Sequence, residues 1–97
     1  MEEQKEKIDG QITVKNLSED FVDQYLDKCI ESYDVCGCER CRADIRAYAL
    51  NHLPPHYVAS AVGEAMVRHE AQTTQGIADI VAAIVEGIRV VAEKPRH

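Results

Sequence analysis

All four cysteines of this 97-residue chain fall between positions 29 and 41, as Cys29, Cys36, Cys38 and Cys41 in a C-x6-C-x-C-x2-C spacing. Three readings compete. Cysteines can be small apolar core residues, but cores scatter them, and this chain has none elsewhere. Cys38-Glu39-Arg40-Cys41 can be a redox pair at a helix N-terminus, where the dipole lowers a thiol pKa; no βαβ frame surrounds it, and two thiols are then unexplained. A tetrathiolate zinc site uses all four, because Zn2+ takes four ligands in a tetrahedron at ~2.3 Å from sulfur. The spacing favours zinc. The compartment points the same way: Met1-Glu2-Glu3-Gln4-Lys5-Glu6-Lys7 is fully polar, unlike a signal or transit peptide. The longest apolar stretch, Ile77 to Ala92, is broken by Asp79, Glu86 and Arg89, so no membrane span is expected. A cytoplasmic location follows as an expectation, and there clustered thiols meet metals more often than they form disulfides.

The flanking pattern supplies two helices for such a site to join. Leu17, Phe21, Val22, Tyr25, Leu26, Cys29, Ile30 and Tyr33 recur at three- and four-residue steps, predicting a helix from Asn16 to about Tyr33. Asn16 with Glu19 matches a capping box, and Ser18 is a competing cap. Asp34 to Cys38 is a tight connection in which Gly37 lets the backbone wrap an ion. A second helix is expected from Glu39 to Asn51, with Cys41, Ile45, Tyr48 and Ala49 inside. Cys29 near the end of one helix and Cys41 in the first turn of the next would face each other. With every position filled, the site would be structural and leave no water for catalysis. Lys28, Arg40 and Arg42 lie beside it and would offset the charge of four thiolates on one Zn2+. Loss of such a metal is expected to loosen or unfold at least the first half of the chain.

Downstream, Leu53-Pro54-Pro55 forces an extended corner. Tyr57 to Gln72 is ambiguous: Tyr57 to Val62 reads as extended or helical, with Gly63 a break, and weak helix is the expectation. The last helix starts at a Thr73 or Thr74 cap and carries Ile77, Ile80, Val81, Ile84, Ile88 and Val91 at helical spacing. Ala78, Ala82, Ala83 and Val85 widen its apolar band beyond what two short helices cover, so a second copy of the chain is expected there. Residues 1–15 read as a flexible charged arm, in which Ile8, Ile12 and Val14 can pack locally. Residues 16–92 read as one helical domain and 93–97 as a short tail.

A formal charge of -6 argues against direct nucleic-acid binding and against anionic membranes. It leaves room for a local basic pocket. Arg42 and Arg46, four apart on one side of their helix, are a candidate phosphate clamp with Arg68 or Arg89; as solvated charges they would pair with Asp44 or Glu39. Tyr48 and Tyr57 suit stacking on bases or, more commonly, core positions with the hydroxyl at the edge. His52 and His56 read as turn residues beside the prolines rather than ligands. His69 and His97 have no evident partner, and Asp79 and Glu86 read as the wet face of the last helix. Ser18, Ser32 and Ser60 lack an acid–base frame, so an enzyme is not expected.

Asn16-Leu17 opening a helix, the cysteine cluster, and the run Cys41-Arg42-Ala43-Asp44-Ile45-Arg46-Ala47-Tyr48-Ala49-Leu50-Asn51-His52-Leu53-Pro54-Pro55-His56-Tyr57 resemble the late-competence development protein ComFB family. A-L-N-x-L-P-P-x-Y is the most specific part, and the likeness spans about Asn16 to Val91. The resemblance implies a small all-α homodimer with zinc on Cys29, Cys36, Cys38 and Cys41. It also implies either a cyclic-dinucleotide receptor, for cyclic di-GMP or in some relatives cyclic di-AMP, or a protein-interaction scaffold beside DNA-uptake machinery with an unknown protein partner.

Overall fold

The computed structural model describes residues 12–95. The order of elements is β1 (Lys15–Asn16), α1 (Leu17–Tyr33), α2 (Glu39–Asn51), β2 (Tyr57–Val58), α3 (Ala61–Ala71) and α4 (Thr74–Glu93). Most of the arm, Met1 to Gln11 with Ile8, lies outside the described residues, as does His97. Ile12 and Val14 do not pack locally: they are 71% and 62% exposed.

Asn16 caps α1, but through Ser18 rather than Glu19: its Oδ1 accepts the Ser18 N–H at 3.1 Å. The same oxygen accepts the His56 N–H at 2.8 Å. One cap thus also ties down the segment that follows the proline corner. Ser18 is no cap at all. It is buried on the apolar side of α1, and its hydroxyl donates to the Pro54 carbonyl at 2.8 Å. β1 and β2 pair antiparallel, Lys15 opposite Val58 and Asn16 opposite Tyr57, and the Leu17 N–H donates to the His56 carbonyl. α1 ends where Asp34 turns into the left-handed region at φ 52°, a conformation that Asp tolerates better than most residues.

α4 is the hub, packing against α2, α1 and α3. Ile80, Ile84, Gly87 and Ile88 are its buried positions, set against Leu17, Val22 and Leu26 of α1 and Ile45 and Ala49 of α2. Ile77, Val81 and Val91 are only half-buried, and Ala78 and Ala82 remain exposed. Among the described residues, no helix is long and apolar enough to cross a membrane.

Gly63 does not interrupt the 57–72 region. After the two residues of β2 the chain enters α3, and Ser60 caps it by accepting the Gly63 N–H at 3.0 Å. A glycine near a helix start costs little when a serine supplies the missing bond. α3 buries none of its residues fully, which explains why its apolar periodicity was faint.

Gly76 is where α4 leaves α3. A Cβ there would lie 2.7 Å from the Glu70 carbonyl oxygen and 2.8 Å from that of Ala71. Gly76→Ala should therefore destabilise by about 1–2 kcal/mol net, although alanine gains up to ~1 kcal/mol in a helix interior. A urea midpoint equal to that of the unaltered protein would show that this corner yields.

Candidate metal centre

Cys36, Cys38 and Cys41 come together with their sulfurs all within 4.8 Å of one another. Three local features place them. The left-handed turn at Asp34 reverses the chain after α1. Gly37 brings the backbone against Ile30, where a Cβ would stand 3.3 Å from the Ile30 Cγ2. Cys38 then caps α2, its Sγ accepting the Cys41 N–H at 3.4 Å. Cys36 is exposed, Cys38 half-buried and Cys41 buried, so the cluster opens to solvent on one side.

Cys29 stands outside this trio. It lies among the buried residues of the core with Leu26 and Ile30, and burial pushes its thiol up. The sequence brings four cysteines close along the chain; the fold gathers three of them.

The electrostatics of the trio are those of a cation site. Cys38 is held below the ordinary thiol range, first by the Cys41 N–H and then by the neighbouring thiols. Cys41 is pushed up to about 12, first by burial and then by its hydrogen bonds and charge repulsion with Cys36 and Cys38. One thiolate is thus favoured and a second is opposed. A soft divalent cation reverses that balance, since thiolates bind it only when ionised and its charge offsets theirs. The donor set therefore fits a metal ion, and the three close thiols can hold one.

Of the candidate phosphate-binding arginines, Arg42, Arg46 and Arg68 are engaged with α1. Arg42 Nε donates to Asp27 Oδ1 at 2.6 Å, and Arg46 grips Asp23 through Nε at 2.6 Å and Nη2 at 3.2 Å. Arg46 also lies 3.7 Å from Glu19. Arg68 bridges Glu64 of its own helix at 2.8 Å and Asp20 of α1 at 2.9 Å. The partners of Arg42 and Arg46 are therefore acids of α1, not Asp44 or Glu39. The matched four-residue steps, Asp23 to Asp27 on one helix and Arg42 to Arg46 on the other in reverse order, are the signal that antiparallel neighbours leave in a sequence. At ~100° per residue, Glu19, Asp20, Asp23 and Asp27 occupy about a quarter of the α1 circumference, and the three arginines converge on it.

Tyr48 is half-buried, with His52 stacked on its ring at 4.0 Å between centroids. Tyr57 is exposed in β2 and Arg89 pairs with Glu86 on α4. His52 and His56 are turn residues: His52 Nδ1 lies 2.8 Å from the Tyr48 carbonyl oxygen, and His56 Nδ1 lies 2.9 Å from Ser18 Oγ. Ser18 and its bond to His56 escaped the sequence reading. The clue was that Ser18 falls on the apolar stripe, three residues before Phe21 and four before Val22.

The family model for the late competence development protein ComFB matches residues 15–95. No curated protein matches the chain. Among solved structures, the late competence protein ComFB from Bacillus subtilis is similar at a TM-score of 0.74 and 26% identity, covering 86% of this chain and 92% of that one. The match takes in both helices of the thiol hairpin, the proline corner and α4, and on it the chain belongs to the ComFB family.

Proposed function

We propose that the protein is a non-enzymatic, zinc-containing signalling adaptor that works as a homodimer and takes a cyclic dinucleotide, cyclic di-GMP before cyclic di-AMP, as its small ligand. The observation that carries this reading is the thiol trio at the junction of α1 and α2. Cys36, Cys38 and Cys41 would hold Zn2+, with Cys29 from the end of α1 as the fourth ligand. The metal would supply a cross-link between helices rather than a reaction. A closed set of four thiolates also withdraws Cys38 and Cys41 from thiol redox chemistry. Ala78 and Ala82 on the exposed side of α4 supply an apolar strip for a second copy.

The arginines support the ligand. Their partners are exposed carboxylates, and such ion pairs contribute only ~0–1 kcal/mol each, so a phosphate can exchange into them. Arg42 and Arg46 would take the phosphates and Tyr48 or Tyr57 would stack on a base. Titration calorimetry on the zinc-loaded protein should give saturable binding of cyclic di-GMP. Arg42→Ala or Arg46→Ala should weaken it roughly tenfold, the worth of one charged hydrogen bond.

One observation favours a second reading. The same arginines already neutralise α1, and the surrounding acids repel a dianion. Flat calorimetric traces with both nucleotides would move the function to a scaffold for a protein partner, linked by its family to competence and DNA uptake, with the exposed corner from Leu53 to Tyr57 as its contact.

A further inference from the structure

A half-open cavity of about 350 Å³ lies on the far side of the molecule from the thiols, between the proline corner, the start of α1 and the α3–α4 junction. Phe21, Leu53, Val67, Ala71 and Ile80 give it apolar walls. Three ionisable side chains also line it: His56, Glu70 and Asp79. Its size falls at the small end of the ~300–1,000 Å³ range of small-molecule sites, and the mixture of apolar wall with a few polar groups is theirs too.

His56 is fixed from every side. Its N–H donates to Asn16 Oδ1, its carbonyl accepts from Leu17, and its ring meets Phe21 edge-on at 5.8 Å between centroids. The hydrogen bonds also assign its tautomer. Ser18 has one hydroxyl proton, and the Pro54 carbonyl, which only accepts, takes it at 2.8 Å. Ser18 Oγ is then the acceptor toward His56, so Nδ1 carries the proton at 2.9 Å. A neutral ring that donates at Nδ1 keeps its lone pair at Nε2. The cavity therefore combines an imidazole, which in its neutral form is an acceptor at Nε2, and two carboxylates with apolar walls, and among the described residues no lysine or arginine lines it.

We propose that this cavity binds a small organic cation, an apolar body of ring or chain carrying a protonated amine. The body would displace water from Phe21, Leu53, Val67 and Ile80. The ammonium would donate to His56 Nε2 and be held by the charges of Glu70 and Asp79. Phosphates are disfavoured by the same two carboxylates, so this site is separate from any cyclic-dinucleotide site on α1 and α2, and either can fail without the other.

The test compares three probes of matched size and different charge, 2-phenylethylamine, 2-phenylethanol and 3-phenylpropionate, by two-dimensional amide NMR of the full chain. The amine should shift the resonances of Ser18, Ala71 and Gly76 saturably, and the alcohol and carboxylate should bind about fivefold or more weakly. Equal binding by all three, a preference for the carboxylate, or no saturable binding of the amine overturns the proposal. Glu70→Gln combined with Asp79→Asn changes exposed positions that the core does not need. It should reduce the amine's affinity to that of the alcohol, and undiminished selectivity would overturn the proposal as well.

Discussion

Chelation of the proposed metal at neutral pH is expected to lower the melting temperature by more than about 12 °C and to loosen the chain from Asp34 into the first turns of α2. Structural zinc carries an apparent ~10–16 kcal/mol in small peptides, comparable with the ~5–15 kcal/mol that holds a whole domain folded. Only part of that would appear as net stability here, because Leu17, Leu26, Ile45 and Ile84 form a buried core that needs no metal. Even ~3 kcal/mol corresponds to about 12–24 °C for a domain of this size. Cys41→Ser should reproduce the loss and abolish metal binding, since Cys41 is the buried member of the trio. Cys29→Ser separates two geometries. Weakened metal binding places Cys29 in the coordination sphere, whereas unchanged affinity leaves it in the core. A triple Ser variant of Cys36, Cys38 and Cys41 that melted like the parent protein, without metal in either, would end the zinc reading.

The second large effect belongs to the core. Ile45 is 1% exposed, one turn beyond Cys41, and its backbone faces Gly87 of α4. Its carbonyl oxygen would be 3.2 Å from a Cβ on Gly87, so the two helices have little room to collapse into a void. Ile45→Ala should cost on the order of 3 kcal/mol, within the ~2–5 kcal/mol range for buried Ile or Leu truncations. Metal content should stay at that of the parent protein, because the thiols are positioned by the turn at Asp34 and the cap at Cys38, not by this side chain. Denaturant unfolding with metal analysis on the same samples checks both halves. Loss of metal together with stability would show that the packing of α2 and the thiol cluster are one unit.

Much of this was legible in the chain. α1 and α4 each carry a cap residue followed by apolar positions at helical spacing and α2 an apolar stripe alone, and the bounds of α1 and α2 and the start of α4 fall where those signals predict. α3 was faint for a physical reason: a helix that buries no residue fully is under little pressure to keep an apolar stripe, and Gly63 hides a capped first turn. The two-residue ladder between β1 and β2 is too short to leave a period. Spacing alone also put Cys29 with the other thiols, yet its neighbours Leu26 and Ile30 compete for it as a core residue. The arginines show the same limit. Composition marked them as bases, but only the antiparallel placement of α1 against α2 shows that they answer Asp23 and Asp27.

The pairing of Lys15 with Val58 and Asn16 with Tyr57 has a mechanical outcome for the helical hairpin. It latches α1 and α2 together at the end remote from the sulfurs, so a metal on the thiols would clasp the same hairpin at its other end. With both in place, release of one would let the pair open from that side only, while the other held the two helices in register for reclosure. A chain so clasped would change shape at its thiol end, and recover, without surrendering the proline corner.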